Sequence, residues 1–338
     1  MPAHADPSSA IPPVNLRPMA RDGREGDTFA ADALEGLTRP RGQKAIPAKH
    51  LYDATGSRIF ERILEIDEYY PVDAEASILD ARLAEIAERI GPEAVLVEPG
   101  AGDGRKPERL LEALESPAAF APLEISETAL VECAERIARR FPEVEVHPVC
   151  ADFANGFSRL SDLPRENRVA FFPGSTIGNL RPEERVDLLT SFARFVGEDG
   201  SALVGFDLVK ETDTLLAAYD DPQGVTADFN LNLVTRLNRE LGAGLDESAF
   251  AHEAVWVEGL DRIEMRLVAE RAQRGEIAGR AIELAEGERI HTEDSHKFTR
   301  ERIARESGEA GLEVETIWTD ERDWYALALL RPRARTER

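Results

Sequence analysis

The stretch AVLVEPGAGDG, Ala94 to Gly104, restricts the fold more than any other part of the chain. A short apolar run turns through three alternating glycines, Gly100, Gly102 and Gly104, and leads straight into the helical pattern KPERLLEALE. Glycines at such a turn admit torsions closed to other residues, and they leave N–H groups bare at a helix start. The strand-helix unit then repeats. FAPLEIS precedes ETALVECAERIARRF, VEVHPVCADF reads as a third strand, and RVAFFPGSTIGNL as a fourth that ends in a polar turn. RPEERVDLLTSFARFVG is a helix with Pro182 near its start and Gly197 at its end, and SALVGFDLV is a fifth strand. Ahead of the series, Leu79, Leu83, Ile86 and Ile90 in VDAEASILDARLAEIAERIG fall at helical spacing, stopped by Gly91. This alternation predicts an α/β fold on a parallel, doubly wound sheet, with ligands at the C-terminal strand ends.

Two ligands compete for the glycine loop. A dinucleotide site wants G-x-G-x-x-G with an acidic residue about 20 positions on. Gly100 and Gly102 begin that motif, but its third glycine falls on Arg105. An S-adenosylmethionine site favours an acidic residue before the first glycine, which is Glu98. Both kinds of site place a carboxylate at the end of the second strand for ribose hydroxyls, and Glu124 supplies it. Asp152 and Phe153, after the third strand, suit an adenine, as a carboxylate for its amine and a ring beside its face. Lys106 is either a solvated charge or the partner of a cofactor carboxylate. A ligand-free tight turn is the plainer alternative; the methyltransferase reading accounts for more of the residues.

After residue 209 the alternation stops. LLAAYDDPQGVTADFNLNLVTRLNREL is helical, and AHEAVWVEG, DRIEMRLVAE and AGRAIELAEGE are strand-like, so residues 210–296 read as an insertion with its own small layer. A helix, RERIARESGEAG, and two strands, LEVETIWT and WYALALLRP, close the chain as an antiparallel hairpin, the usual ending of class I methyltransferases. Residues 1–28, rich in Pro, Ser and charge, read as a mobile tail. With 41 Lys and Arg against 65 Asp and Glu, the net charge of −24 repels phosphate backbones and anionic lipid, which argues against nucleic-acid and membrane-surface roles. Cys133 and Cys150 show no metal or disulfide spacing, no run approaches a membrane span, and no signal peptide is visible, so a reduced cytoplasm is expected.

HTEDSHKF, His291 to Phe298, packs two histidines, a glutamate, an aspartate, a serine and a lysine together. In an extended strand, period-two alternation puts His291, Glu293, Ser295 and Lys297 on one face, and Thr292, Asp294, His296 and Phe298 on the other. The histidines then sit on opposite faces, so no metal site is expected, and His296 is expected at the surface.

Taken together, LYDATGSRIFERI (51–63), EYYP (68–71), the glycine loop, GSTIGNL (174–180), DLVKETDTLLAAYDD (207–221), GVTADFNLN (224–232), RIEMRL (262–267) and HTEDSHKF carry a resemblance. The chain resembles the histidine Nα-methyltransferases of ergothioneine biosynthesis, which use S-adenosylmethionine to trimethylate free L-histidine to hercynine. The resemblance runs from about residue 29 to 330. It implies that Asn179 and Tyr219 hold the amino-acid head group, that Tyr52 and Tyr69 reach the pocket, and that Glu293 and Ser295 face the imidazole with Met265 against the ring. Phe60, Gly174 and Thr176 complete the implied substrate pocket. It further implies a cofactor unit of residues 74–209 and 297–338, a substrate unit of 29–73 and 210–296, no metal, and a monomer. The chain departs from the pattern at Pro99, Asp103 and Gly104, and in carrying Glu124 where Asp is commoner. A carboxylate at 293 suits an imidazole N–H better than an indole face, so histidine is preferred over a tryptophan-like substrate. A nicotinamide dehydrogenase and a non-catalytic amino-acid sensor are the remaining alternatives.

Overall fold

The computed structural model describes residues 15–21, 28–102, 104–151 and 157–333. Numbered in chain order, strands β1 (Ala20–Arg21), β2 (Val95–Pro99), β3 (Ala119–Glu124), β4 (Glu145–Val146), β5 (Val149–Cys150), β6 (Arg168–Phe172), β7 (Ser201–Asp207), β13 (Leu312–Thr319) and β14 (Tyr325–Pro332) form one sheet. Their order is β1-β5-β3-β2-β6-β7-β14-β13, with β4 beside β3. β14 runs antiparallel to both β7 and β13, so the expected doubly wound sheet with a terminal hairpin is present. β2 lies parallel between β3 and β6, and the strand order reverses there, which opens a crevice beyond the carboxyl ends of β2 and β6.

Helices cover both faces, so the central strands are apolar throughout rather than alternating. Val95 and Val97 point towards the helix Pro182–Val196 and its core, which includes Leu188, Phe192 and Ile303. Leu96 points the other way, into a core with Ile78, Ile86, Leu110 and Ile137 from the helices Pro71–Ile90, Arg105–Ala113 and Glu127–Arg140.

A third core draws on residues 29–70 and 215–290. Its layer is a three-stranded antiparallel sheet, β12-β9-β8, made of β8 (Phe250–Val257), β9 (Arg262–Ala269) and β12 (Arg289–His296). The long helical run expected after residue 214 is two helices, Thr212–Ala217 and Val225–Leu241. The break falls at DDPQG, where the Asp221 carboxylate accepts the backbone N–H groups of Val225 and Thr226 and so starts the second helix.

Three local features differ from the sequence reading. Strand three is split into β4 and β5 because Pro148 has no N–H for the ladder. AGRAIELAEGE is one arm of a hairpin whose other arm, β10 (Gln273–Ile277), was not recognised. It joins β11 (Arg280–Leu284) through Ala278 and Gly279, both at positive φ. Within the stretch read as a tail, Asn15–Arg21 lie along the sheet edge: Leu16 bridges Val146, and β1 pairs with β5. Asn15 donates to the carbonyls of Ala138, Phe141 and Val144, tying this edge to the end of a helix. Edge pairing is a long-range event that local composition does not report.

Two chain segments cross side by side between the large sheet and the third core. Phe298 N–H donates to Asp207 O at 2.8 Å, and Val209 N–H to Phe298 O at 3.0 Å. Nearby, Arg185 is wholly buried and forms a two-pronged pair with Glu306 at 2.8 and 3.0 Å, while donating to Leu180 O at 2.6 Å. That last bond anchors the end of the GSTIGNL turn. Among the described residues no helix is long and apolar enough to cross a membrane.

Removing one member of a buried ion pair strands its partner. Glu306→Ala is therefore expected to lower unfolding stability by roughly 3 kcal/mol in urea titrations, and a loss under about 1 kcal/mol would mean that the guanidinium finds water instead.

Candidate active site

On the cofactor side, β2 runs out into Gly100 and Gly102, at φ of 71° and 53°. A methyl group added at either would meet nothing within 4 Å, so this face of the loop is open to a ligand. Gly104 differs: a Cβ there would lie 2.7 Å from the Cys133 sulfur, so this glycine serves close packing. Glu98 is buried on β2. Glu124 ends the neighbouring strand β3, and its carboxylate accepts N–H groups from Ile125 at 2.8 Å, Ser126 at 3.1 Å and Gly102 at 3.4 Å. Asp152 and Phe153 lie outside the described residues.

Lys106, in the first turn of the helix after the loop, ion-pairs with Glu75 at 2.5 Å. Glu75 is 2% exposed and also accepts from Gly174 N–H and the Tyr325 hydroxyl, each at 2.7 Å. This carboxylate therefore joins the glycine-loop helix to the turn after β6, across the switch point. The sequence reading missed it, although a signal was present: Glu75 lies four residues before Leu79, on the apolar stripe of its helix.

On the substrate side, the turn Thr176–Asn179 follows β6 and presents Asn179, whose amide donates to Glu293 Oε1 at 2.5 Å. Thr176 is exposed at the start of that turn. Glu293 is buried on β12, directly opposite Met265 on β9. The Tyr219 hydroxyl lies 2.7 Å from Ser295 Oγ. Tyr69 packs edge-on to Tyr219 at 6.2 Å between ring centres, and Tyr52 packs edge-on to Phe60 at 5.3 Å and to Phe229 at 5.2 Å. The fold thus brings Tyr52, Phe60, Tyr69, Asn179, Tyr219, Met265, Glu293 and Ser295 close to one another.

Beneath them lies a charge cluster the sequence reading did not assemble. Lys297 is fully buried and donates to Asp207, Ser295 and Tyr219. Asp207 also accepts from Lys210 and from the Tyr70 hydroxyl. The alternation in HTEDSHKF had placed Lys297 on the Glu293 face, but Asp207 comes from β7 and only the fold brings it there.

That alternation fails at one point. Between β12 and β9 the register shifts after His291: His291 pairs with Arg266 and Glu293 with Met265, leaving Thr292 as an inserted residue. His291 therefore shares the face of Asp294, with Nε2 to Oδ1 at 2.9 Å, rather than that of Glu293. Together with Glu264 these groups would suit a cation by spacing. Arg266 and Arg262 nonetheless both pair with Glu264, and Arg262 reaches Asp294 at 3.1 Å, so the carboxylates are already met by guanidinium groups. His296, expected at the surface, is buried, because the end of β12 packs against Gly178, where a Cβ would come within 2.8 Å of His296 O.

Burial, opposed by Lys297 and Asn179, pushes the Glu293 carboxyl up to about 7. Burial, with Glu293 adding to it, holds the Tyr52 hydroxyl far above its ordinary value, and Tyr69 and Tyr219 are raised likewise. Burial would raise Asp207 too, but Lys297 and Lys210 overcome it and keep the carboxyl below its usual range. Burial and the nearby Arg185 and Arg302 press His296 down to about 4.

The profile of a family described as "Histidine-specific methyltransferase, SAM-dependent" matches residues 29–332. The Histidine N-alpha-methyltransferase of Mycobacterium tuberculosis is 40% identical over 304 residues, covering 88% of this chain and 93% of that protein. Its namesake in Mycolicibacterium smegmatis is 40% identical over 308 residues, covering 90% and 94%. Ergothioneine biosynthesis protein 1 of Neurospora crassa is 27% identical over 320 residues, which span 88% of this chain and 34% of that longer protein.

The raised Glu293 carboxyl has a consequence for folding. A group whose pKa rises on folding contributes stability that is complete below its unfolded value of 4.5 and fades as pH rises through about 7. Glu293→Gln abolishes this contribution. Between pH 5 and 8 the wild-type protein is expected to lose up to roughly 3 kcal/mol relative to the Gln variant. Paired urea titrations give the difference, and a gap that stays constant with pH would refute the shift.

Proposed function

The chain belongs to the SAM-dependent histidine-specific methyltransferase family, and we propose that it moves methyl groups from S-adenosylmethionine to the α-amino nitrogen of free L-histidine. The end product is Nα,Nα,Nα-trimethylhistidine (hercynine), in ergothioneine biosynthesis. One observation supports the substrate above others: a buried carboxylate, Glu293, faces the pocket in hydrogen-bond contact with Asn179 and lies opposite Met265. An indole would leave that carboxylate poorly matched, whereas an imidazole N–H satisfies it.

S-adenosylmethionine supplies an electrophilic methyl carbon on a sulfonium. In this reading the residues of 74–209 and 297–338 bind it, through the unobstructed faces of Gly100 and Gly102, ribose contacts at Glu124, and Lys106 for its carboxylate. Residues 29–73 and 210–296 carry the substrate. Transfer by in-line displacement demands alignment and a free amine lone pair more than a nucleophilic side chain. Asn179 and Tyr219 orient the head group without adding charge. The phenols of Tyr52, Tyr69 and Tyr219 stay protonated at neutral pH, so they act as donors and ring faces and not as bases. The substrate amine sheds its proton before binding, to water or to a water held by one of these neutral phenols. As methyl groups accumulate, the faces of Tyr52, Phe60 and Tyr69 accommodate a growing fixed cation. We further propose that it acts as a monomer in the cytoplasm.

Mass spectrometry of reactions holding S-adenosylmethionine and each free amino acid in turn is expected to show one, two and three added methyl groups on histidine alone. Glu293→Ala should weaken histidine binding by about a hundredfold, as expected for an unpaired buried polar contact, with S-adenosylhomocysteine affinity unchanged. Equal loss of both would make Glu293 a structural residue.

A further inference from the structure

Lys297 does not itself meet the substrate in the reading above, yet it holds two groups that do. Its ammonium donates to Asp207 Oδ2 at 2.7 Å, Ser295 Oγ at 2.8 Å and the Tyr219 oxygen at 3.0 Å. An ammonium has three N–H bonds, so all are committed. The Tyr219 and Ser295 hydroxyls also bond to each other, at 2.7 Å. They own two protons between them, and one lies in that mutual bond. A single O–H is left, for a ligand or for Tyr69, whose hydroxyl also lies in hydrogen-bond reach of Tyr219.

We propose that Lys297 is a positioning residue that locks this hydroxyl pair in the polarity a bound carboxylate selects, and thereby fixes which imidazole nitrogen carries the proton. The inference rests on the reading above, in which Tyr219 meets the substrate carboxylate while Ser295 and Glu293 flank the ring. An anionic carboxylate claims the free O–H for Tyr219. Ser295 must then donate to Tyr219, and with Lys297 filling one of its lone pairs it offers the ring only the other. A ring nitrogen at Ser295 is therefore an N–H, since a bare nitrogen there would face lone pair against lone pair. The second nitrogen falls to Glu293, which accepts an N–H when ionised and donates when protonated. Without the ammonium, each hydroxyl rotates and either tautomer fits. Asp207 keeps Lys210 and Tyr70 as partners when Lys297 is replaced, so the cluster is not left as a bare charge.

The wild-type protein, saturated with S-adenosylhomocysteine and ring-15N L-histidine, gives the direct test by nitrogen NMR. One ring nitrogen should be a fixed N–H, and its resonance should be the one displaced by Ser295→Ala. Averaging between tautomers, or an unprotonated nitrogen at Ser295, overturns the proposal without need of a lysine variant. Lys297→Met adds a second arm. It should weaken histidine binding about tenfold and leave S-adenosylhomocysteine binding within about twofold. In a Tyr219→Phe background the same change should add less than about threefold, because its target is already gone. Equal losses in both backgrounds, or parallel loss of both ligands, would mean that Lys297 only supports the fold. If the wild-type protein binds no histidine at all, the substrate reading itself falls; if it binds histidine with exchanging tautomers, only this inference does.

Discussion

Asp207 is a carboxylate at the end of β7 that water does not reach, and three elements converge on it. Lys297 arrives from the end of β12, Lys210 from the segment leaving β7, and Tyr70 from the start of the helix Pro71–Ile90. The backbone N–H of Asp207 in turn donates to Ser175 Oγ, in the turn that presents Asn179. An ionised carboxylate in such a place is stable only while its partners stay in position, so its requirement for neutralisation fixes where those elements sit. The residues proposed to hold the substrate are brought near one another by that requirement.

Glu75 plays the corresponding part for the cofactor loop. By holding Lys106, Gly174 and Tyr325 together it registers the helix after β2 against the turn after β6. Gly174 lies five residues before Asn179, so a shift at one ligand site would be felt at the other. Methyl transfer needs a line of approach held to a fraction of an ångström, and two buried carboxylates that cross-link separate elements restrict how far those elements can shift. Neither touches a ligand in this reading.

Much of the fold was legible because its signals are local. A buried parallel strand must be apolar, an exposed helix must alternate, and the glycines between them must turn, whatever the rest of the chain does. The strings around Asn179, Tyr219 and Glu293 also named residues that the fold places near one another. What escaped notice was either a break inside a local pattern or a partner far along the chain. Pro148 split a strand, Ala278-Gly279 closed an unrecognised hairpin, and Asn15–Arg21 found an edge. Thr292 entered β12 as an extra residue, so His291 moved to the face of Asp294. A period-two count cannot see a bulge, because a bulge is defined by the strand opposite.

The sequence by itself determined the α/β alternation, the open glycine turn, the carboxylates at 98 and 124, and the company of polar residues in HTEDSHKF. Those follow from hydrophobic period and backbone torsion, which neighbouring residues settle among themselves. Only the tertiary structure decided that Lys297 would be enclosed with Asp207, that Glu75 would hold Lys106, and that His296 would be buried. Charge in a protein interior depends on what replaces water around it, and those replacements come from segments up to 250 residues apart, as between Glu75 and Tyr325.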